Sequence, residues 1–267
     1  MNRIKETFNR LYLKKQKALV VYLMVGYPDY ETSLKAFNTV LENGADILEI
    51  GFPFSDPVAD GPTIQIAHEV ALNNGIKSHH VFEAVKTLRR DFPHIPFLLM
   101  TYYNPVFRIG QESFCCLAKE SGLDGFIVPD LPPEECVPLK ETMKNYGLSL
   151  ILLASPTSTE KRLRLICEKT DDMVYFVSVT GTTGERKDLP FKELKDKVHH
   201  YRKICSKPVV VGFGVSTKAH VREISCFADG VVVGSSIVKL SSQKNMKKLA
   251  DKVKELKEGT LKSGVLS

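Results

Sequence analysis

Short apolar runs rich in β-branched residues recur along the chain, and longer amphipathic stretches separate them. The runs cover residues 18–25, 46–50, 96–100, 125–128, 148–153, 173–178, 208–212 and 230–233. Between them, apolar positions recur at helical spacing over residues 33–43, 63–73, 80–91, 112–121, 133–146, 160–169, 191–204, 218–225 and 245–257. Gly44, Gly75, Gly122 and Gly147 each follow such a stretch, where glycine commonly ends a helix. The pattern therefore predicts eight strands that alternate with helices.

This order of elements is typical of a (β/α)8 barrel, in which eight parallel strands close into a cylinder with helices outside. The predicted fold class is α/β, a single TIM barrel over residues 1–267 with extra helices at the N-terminus and in the loops. A strand count does not show closure, so an open, doubly wound sheet is the alternative.

The composition supports one globular domain without a linker. The chain has 267 residues, of which 43% are hydrophobic and 25% charged, enough apolar material for a large core. The first residues carry charges where a signal peptide needs an apolar stretch, and no run is long enough to span a membrane. We therefore expect a cytoplasmic protein that does not bind membranes.

The net charge of +6 comes largely from lysines near the C-terminus. Leu249, Val253 and Leu256 recur among them at helical spacing, which predicts an amphipathic helix with a solvated basic face. Nucleic-acid binding is not expected, because no aromatic residues or binding module accompany the charge.

The cysteines and histidines do not predict a metal site. No C-x-x-C pair occurs, and no histidines have ligand spacing. We expect reduced, mostly buried thiols rather than disulfides; the six cysteines are at positions 115, 116, 136, 167, 205 and 226.

Glu49 is the strongest candidate for chemistry. It lies near the end of the apolar run 46–50, where Ile47 and Glu49 share one face and Leu48 and Ile50 the other. A strand of this pattern is buried on both faces, and an unpaired buried carboxylate is costly or stays protonated. The structural alternative is an acid paired with a buried lysine or arginine.

The loop after Glu49 contains two further acids, Asp56 and Asp60, among several prolines and glycines. Proline restricts its own φ and the residue before it, so this loop is predicted to be stiff. Asp60 precedes Gly61 and Pro62 and has the alternative role of a helix cap. That role explains Asp60 alone, and does not explain three neighbouring acids.

Glycine-rich turns follow the predicted strands six, seven and eight, at residues 180–184, 212–216 and 234–236. Each one by itself is explained as a tight turn. All three together, at the barrel end where phosphate is commonly bound, predict a phosphate site made of backbone N–H groups.

Residues 48–65 closely resemble the signature of the tryptophan synthase α chain family; they read LEIGFPFSDPVADGPTIQ. Similar segments follow at residues 101–105, 128–132, 178–181, 183–184, 212–214 and 234–235. The resemblance implies a (β/α)8 barrel that cleaves indole-3-glycerol phosphate to indole and glyceraldehyde 3-phosphate by a retro-aldol reaction, without metal or cofactor.

The resemblance also implies roles for individual residues. Glu49 is implied as the acid–base group and Asp60 as the group that holds the indole N–H. The residues implied to bind substrate are Tyr102 and Tyr175 at the indole ring, Gly184, Gly214, Gly234 and Ser235 at the phosphate, and Thr183 and Phe213 in matching segments.

The expected partner is a pyridoxal-phosphate-containing tryptophan synthase β chain in an α2β2 assembly, to which indole passes directly. Asp56 is the candidate for coupling to it, because the implied chemistry gives this acid no task; its alternative is a solvated turn residue. Two other functions stay open. One is an α subunit with little lyase activity that mainly activates the β chain. The other is an indoleglycerol-phosphate synthase, although no predicted strand carries the lysines that such enzymes use.

Overall fold

The predicted strands form a closed, all-parallel barrel in which each strand pairs with its neighbours in sequence and β8 pairs with β1. A computed structural model of the protein describes residues 2–177, 191–212 and 214–261. The strands are β1 (Ala18–Met24), β2 (Ile47–Gly51), β3 (Phe97–Met100), β4 (Gly125–Ile127), β5 (Ser149–Ala154), β6 (Val174–Val177), β7 (Val209–Gly212) and β8 (Gly230–Val233). The barrel prediction is confirmed, and the open sheet is excluded.

Helices surround the barrel and also lie beneath it. Those within the described residues are α1 (Arg3–Leu13), α2 (Tyr30–Glu42), α3 (Pro62–Asn73), α4 (Ser78–Asp91), α5 (Tyr103–Ile109), α6 (Gln111–Ser121), α7 (Val137–Asn145), α8 (Glu160–Lys169), α9 (Phe191–Ile204), α10 (Lys218–Ser225), α11 (Ser235–Ser241) and α12 (Met246–Gly259). The predicted helix 133–146 begins later, at Val137. The four predicted cap glycines all have positive φ, as helix-ending glycines require.

The short helix α5 was not among the predicted intervals. It begins at Tyr103, whose backbone N–H donates to both carboxylate oxygens of Asp130 at 2.9 and 3.2 Å. Asp130 follows β4, so a carboxylate from the next loop of the barrel caps this helix. The cap is a contact between distant residues, which local periodicity does not reveal.

Two hydrophobic layers follow from the alternation of side chains along the strands. One set points into the barrel and includes Ile47, Leu98 and Val210; the other points outward against the helices. Helix α1 closes the lower end, because its buried Ile4 and Phe8 belong to the inner layer. The upper end, where the strands finish, is left for a cavity.

Aspartates placed just before the even-numbered strands tie each of them to the preceding strand. Each carboxylate accepts a hydrogen bond from a backbone N–H of the odd-numbered neighbour, at 2.8 to 3.0 Å; the pairs are Asp46 with Leu19, Asp124 with Phe97, Asp171 with Leu150 and Asp229 with Val209. Basic side chains neutralise these acids, for example Arg89 at Asp124 and Arg202 at Asp229. All four acids lie at the lower end of the barrel, where such interactions serve stability.

One expectation from the sequence is wrong: Cys167 and Cys205 form a disulfide. Cys167 lies on α8 and Cys205 directly follows α9, and their Cα atoms are 5.7 Å apart although 38 positions separate them in sequence. Neighbouring helices of the barrel bring them together, and cysteine spacing in the sequence does not show this. The other four thiols are free, and Cys115 and Cys136 among them are buried.

Among the described residues, no helix has the length and apolar character needed to cross a membrane. In the same part of the chain, no three His, Cys, Asp or Glu side chains converge as metal ligands.

We predict that the disulfide stabilises the fold, because it closes a loop of 38 residues and restricts the unfolded chain. A crosslink of this length is typically worth about 3–4 kcal/mol, or about 5–15 °C in Tm for a chain of this size. Thermal unfolding should show that Tm falls by this amount on addition of reductant, and equally in Cys167→Ser.

The matched control is Cys226→Ser, which removes an exposed free thiol and should leave Tm unchanged. A wild-type Tm that is insensitive to reductant, with two extra free thiols titrated in the unreduced protein, would contradict the prediction.

Candidate active site

A cavity opens at the upper end of the barrel, where the strands finish and the predicted site residues lie. It encloses about 760 Å³ of empty space, which includes the open solvent at its mouth. Its walls combine apolar side chains with few polar ones; the lining residues are Tyr22, Glu49, Ala59, Asp60, Ile64, Met100, Ile127, Pro129, Leu153, Tyr175, Val177, Gly212, Gly214, Val215, Val232, Gly234 and Ser235.

Glu49 points into the barrel from β2 and is 1% exposed. Its Oε2 atom is buried and has no hydrogen-bond partner among the described residues. Burial raises the pKa of Glu49 from 4.5 to about 8, and the negative charge of Asp60 adds to the rise. The structure therefore holds Glu49 as a protonated acid at neutral pH. The alternative of a buried ion pair fails, because no described lysine or arginine contacts this carboxyl.

Asp60 lies across the cavity at the end of the loop and is 2% exposed. Its Oδ2 accepts a hydrogen bond from Tyr102 Oη at 2.8 Å, and His68 Nε2 lies 3.2 Å from the same oxygen. The alternative role of Asp60 as the cap of α3 is not observed. Gly61 is the N-cap of that helix, which has no side-chain cap.

Tyr102 stands behind Asp60, and it is not among the residues that line the cavity. Its hydroxyl group also accepts the backbone N–H of Ala59 at 3.0 Å, and its ring stacks on Phe54 with centroids 5.1 Å apart. The structure thus places this predicted indole-contacting residue as a support for the acidic loop. Burial, followed by the charge and the hydrogen bond of Asp60, holds the pKa of Tyr102 well above its usual value.

The buried Tyr22 and the half-buried Tyr175 contribute two hydroxyl groups to the cavity. Burial raises the pKa of both well above the usual value, and the charges of Asp60 and Glu49 raise it further, so both are hydrogen-bond donors at neutral pH. Glycines make room for them, since a Cβ atom at Gly51 would lie 2.4 Å from the Tyr22 hydroxyl oxygen and one at Gly212 would lie 2.5 Å from that of Tyr175. Tyr175 faces inward as the strand pattern predicted.

Tyr22 was not predicted from the sequence as a residue of the site. It is the register partner of Glu49 on the adjacent strand β1, and it continues the inward-facing series Ala18 and Val20. A polar aromatic residue at an inward position near the end of a barrel strand was the available signal.

The turns predicted to bind phosphate line the same cavity, for those of their residues that the structure describes. Gly214, Gly234 and Ser235 all line it, and Gly214 has a φ of 64°, which favours glycine. Helix α11 begins at Ser235, and Ser236 Oγ is buried without a hydrogen-bond partner among the described residues. Thr183, Gly184 and Phe213 lie outside the described residues.

Asp56 lies apart from these groups. It is exposed on the acidic loop, its carboxylate accepts a hydrogen bond from Ser55 Oγ, and it does not line the cavity. Val58, two residues on, is 76% exposed. The outer side of the loop therefore presents an acid and an apolar side chain to solvent, while its inner side holds Asp60.

His68 is the second residue that sequence reasoning missed. It is 3% exposed, on the buried face of α3 with Ile64, Ala67 and Ala71. The signal in the sequence was a histidine at an apolar position of a helix that begins directly after an acidic loop.

Comparisons with known proteins identify the family of the chain. The family model described as tryptophan synthase alpha chain matches residues 8–265. The tryptophan synthase alpha chain of Aquifex aeolicus is 68% identical over 97% of this chain and 99% of its own length. That of Methanocaldococcus jannaschii is 45% identical over 89% of this chain and 84% of its own length.

Solved structures give the same result. One from Aquifex aeolicus has a TM-score of 0.93 and 64% identity, covering 98% of this chain and 100% of that one. A structure of Mycobacterium tuberculosis tryptophan synthase has a TM-score of 0.91 and 34% identity, covering 98% of this chain and 99% of that one. The chain therefore belongs to the tryptophan synthase alpha chain family, whose members are lyases that cleave indole-3-glycerol phosphate.

Proposed function

We propose that Glu49 and Asp60 carry out the retro-aldol cleavage of indole-3-glycerol phosphate in this chain, releasing indole and glyceraldehyde 3-phosphate. The observation that carries this proposal is the contrast between the two carboxyl groups of one cavity. Glu49 has a raised pKa and a partnerless oxygen, while Asp60 receives donors from the protein. Carbon–carbon cleavage needs a proton donor and a charge-stabilising anion, and these two environments supply them.

The reaction begins with protonated Glu49, which donates its proton to C3 of the indole ring. The ring becomes positively charged, and the Asp60 carboxylate accepts the hydrogen bond of the ring N–H and stabilises that charge. Glu49, now a carboxylate, removes the proton from the hydroxyl group of the adjacent glycerol carbon. The bond between that carbon and C3 breaks, its electron pair returns to the ring, and the carbon becomes the aldehyde of glyceraldehyde 3-phosphate. Glu49 ends the cycle protonated.

The phosphate group is held, in this proposal, mainly by backbone N–H groups of the glycine-rich turns. Gly214, Gly234 and the start of α11 at Ser235 line the cavity side that would receive it. Thr183, Gly184 and Phe213 are proposed to complete the substrate site. No cofactor is proposed for this chain, because the acid–base pair suffices for the chemistry.

The proposed partner is a pyridoxal-phosphate-containing β chain in an α2β2 assembly, and we place the contact at the end of the barrel that holds the cavity. The solvent-facing Asp56 and Val58 of the acidic loop, and Phe107 of α5 at 68% exposed, support this choice. Asp56 is proposed to pair with a basic group of the partner. A chain that mainly activates its partner is the second candidate, and isolated turnover separates the two.

We predict that Glu49→Gln lowers kcat by about 10²–10⁴-fold, the usual loss on removal of an acid–base group. The fold should persist, since glutamine has the size of glutamic acid. The assay is indole release from indole-3-glycerol phosphate. Glu69→Gln, an exposed neutralisation on α3, is the control. Near-normal turnover by a folded Glu49→Gln protein would remove Glu49 from the mechanism.

The pH dependence follows from the same carboxyl group. Free enzyme with protonated Glu49 is the active form, so kcat/KM should fall about tenfold per pH unit above a pKa of about 8. The free energy of unfolding depends on pH in the same direction, because Glu49 keeps a proton in the folded state that it loses above pH 4.5 in the unfolded state. The free energy of unfolding should decline between these two values, and Glu49→Gln should lack that decline in denaturant titrations. A flat kcat/KM profile to pH 9.5 would refute the assignment.

We predict that Asp56→Asn lowers the factor by which added β chain activates turnover. Coupling between binding sites is typically worth about 1–3 kcal/mol, or roughly 5- to 150-fold. Turnover is measured with and without β chain for wild type, Asp56→Asn and the control Asp91→Asn, an exposed acid at the end of α4. Full activation of Asp56→Asn would make Asp56 a turn residue only.

A further inference from the structure

A continuous set of hydrogen bonds joins the backbone of the acidic loop to the Asp60 carboxylate through His68. The N–H of Phe54 donates to His68 Nδ1 at 2.9 Å, and His68 Nε2 lies 3.2 Å from Asp60 Oδ2. All of His68 is enclosed except for 3% of its surface. Both ring nitrogens are therefore engaged with protein groups in a site that solvent hardly reaches.

The Phe54 contact determines which nitrogen carries the ring proton. A backbone N–H can only donate, so Nδ1 must accept, and the proton of the ring lies on Nε2. That proton points at Asp60 Oδ2, and the contact is a hydrogen bond from imidazole to carboxylate. The loop backbone thus selects the one tautomer that can donate to Asp60.

Tyr102 completes the arrangement from the other side. Its hydroxyl group donates to the same oxygen, Oδ2. Within residues 2–177, 191–212 and 214–261, these are the two side chains that hydrogen-bond to the Asp60 carboxylate. Two donors on one oxygen restrict the orientation of the carboxylate. They also fix the loop itself, since Tyr102 accepts from Ala59 N–H and stacks on Phe54.

We propose that His68 is a positioning residue, which orients Asp60 through Nε2–H and ties that orientation to the loop backbone at Phe54. The inference rests on the role of Asp60 in the proposed function. It follows that a displacement of the segment between Phe54 and Asp60 changes the hydrogen bonds that Asp60 accepts. The reason is that Phe54 binds His68 and Ala59 binds Tyr102, the two residues that donate to Asp60.

Two substitutions separate the contacts of the ring. His68→Asn retains an acceptor near Phe54 N–H but is too short to donate to Asp60, whereas His68→Gln places an amide N–H near the former Nε2. We expect His68→Asn to lower kcat about 10- to 100-fold, the loss typical of a hydrogen bond to a charged group, with a smaller change in KM. His68→Gln should regain part of kcat. The control is His79→Asn, an exposed histidine on α4.

A double-mutant cycle with Asp60→Asn tests whether His68 acts through Asp60. The double variant His68→Asn/Asp60→Asn should have the kcat of Asp60→Asn within about threefold, because residues that act as a unit are not additive. A purely structural role would multiply the two losses. If His68→Asn does not fold, the cycle is run with His68→Gln, whose partial loss must vanish in the Asp60→Asn background.

The possible failures are distinguishable. Near wild-type turnover in Asp60→Asn removes the proposed role of Asp60, and this inference with it. An impaired Asp60→Asn together with wild-type kcat in both His68 variants overturns the positioning role alone, as do multiplicative losses in the cycle.

Discussion

The site depends on the desolvation of one carboxyl group at the centre of the barrel. Glu49 is surrounded by strands whose inward side chains are mostly apolar, and one of its oxygens has no hydrogen-bond partner among the described residues. Such an environment disfavours charge, and it gives a carboxylic acid that keeps its proton near neutral pH. The closed barrel, and helix α1 packed across its lower end, enclose this apolar interior. In the proposed function, the fold gives up stability at Glu49 to keep the proton that the reaction uses.

Asp60 shows the opposite solution for a buried acid. Two protein donors contact it, and its own loop is braced by Tyr102 through a hydrogen bond and ring stacking. The two acids face one cavity, and the charge of Asp60 also raises the pKa of Glu49. The two proposed roles are therefore linked, because the group proposed to stabilise positive charge on the substrate also helps to keep Glu49 protonated.

Local sequence patterns predicted the features that depend on neighbouring residues. Strand bounds followed from apolar runs to within one residue for the described ends, and Glu49 and Asp60 stood out as acids at the end of a buried strand and in a stiff loop. Features set by contacts between distant residues were missed. The cap of α5 by Asp130, the Cys167–Cys205 disulfide and the support of Asp60 by His68 each join separate elements. Tyr102 was predicted to follow strand three, as it does, but its position behind Asp60 is set by tertiary packing.

The aspartates at the lower end of the barrel have a consequence for its symmetry. Each ties an even-numbered strand to the odd-numbered strand before it, so the lower rim repeats the same motif four times around the axis. At the upper rim, β2 ends in a glutamate, β6 carries a tyrosine, and β7 and β8 lead into glycine turns. The lower rim is thus close to fourfold symmetric, whereas the upper rim, which holds the cavity, is asymmetric. Substitutions that diversify one rim leave the periodic scaffold of the other intact.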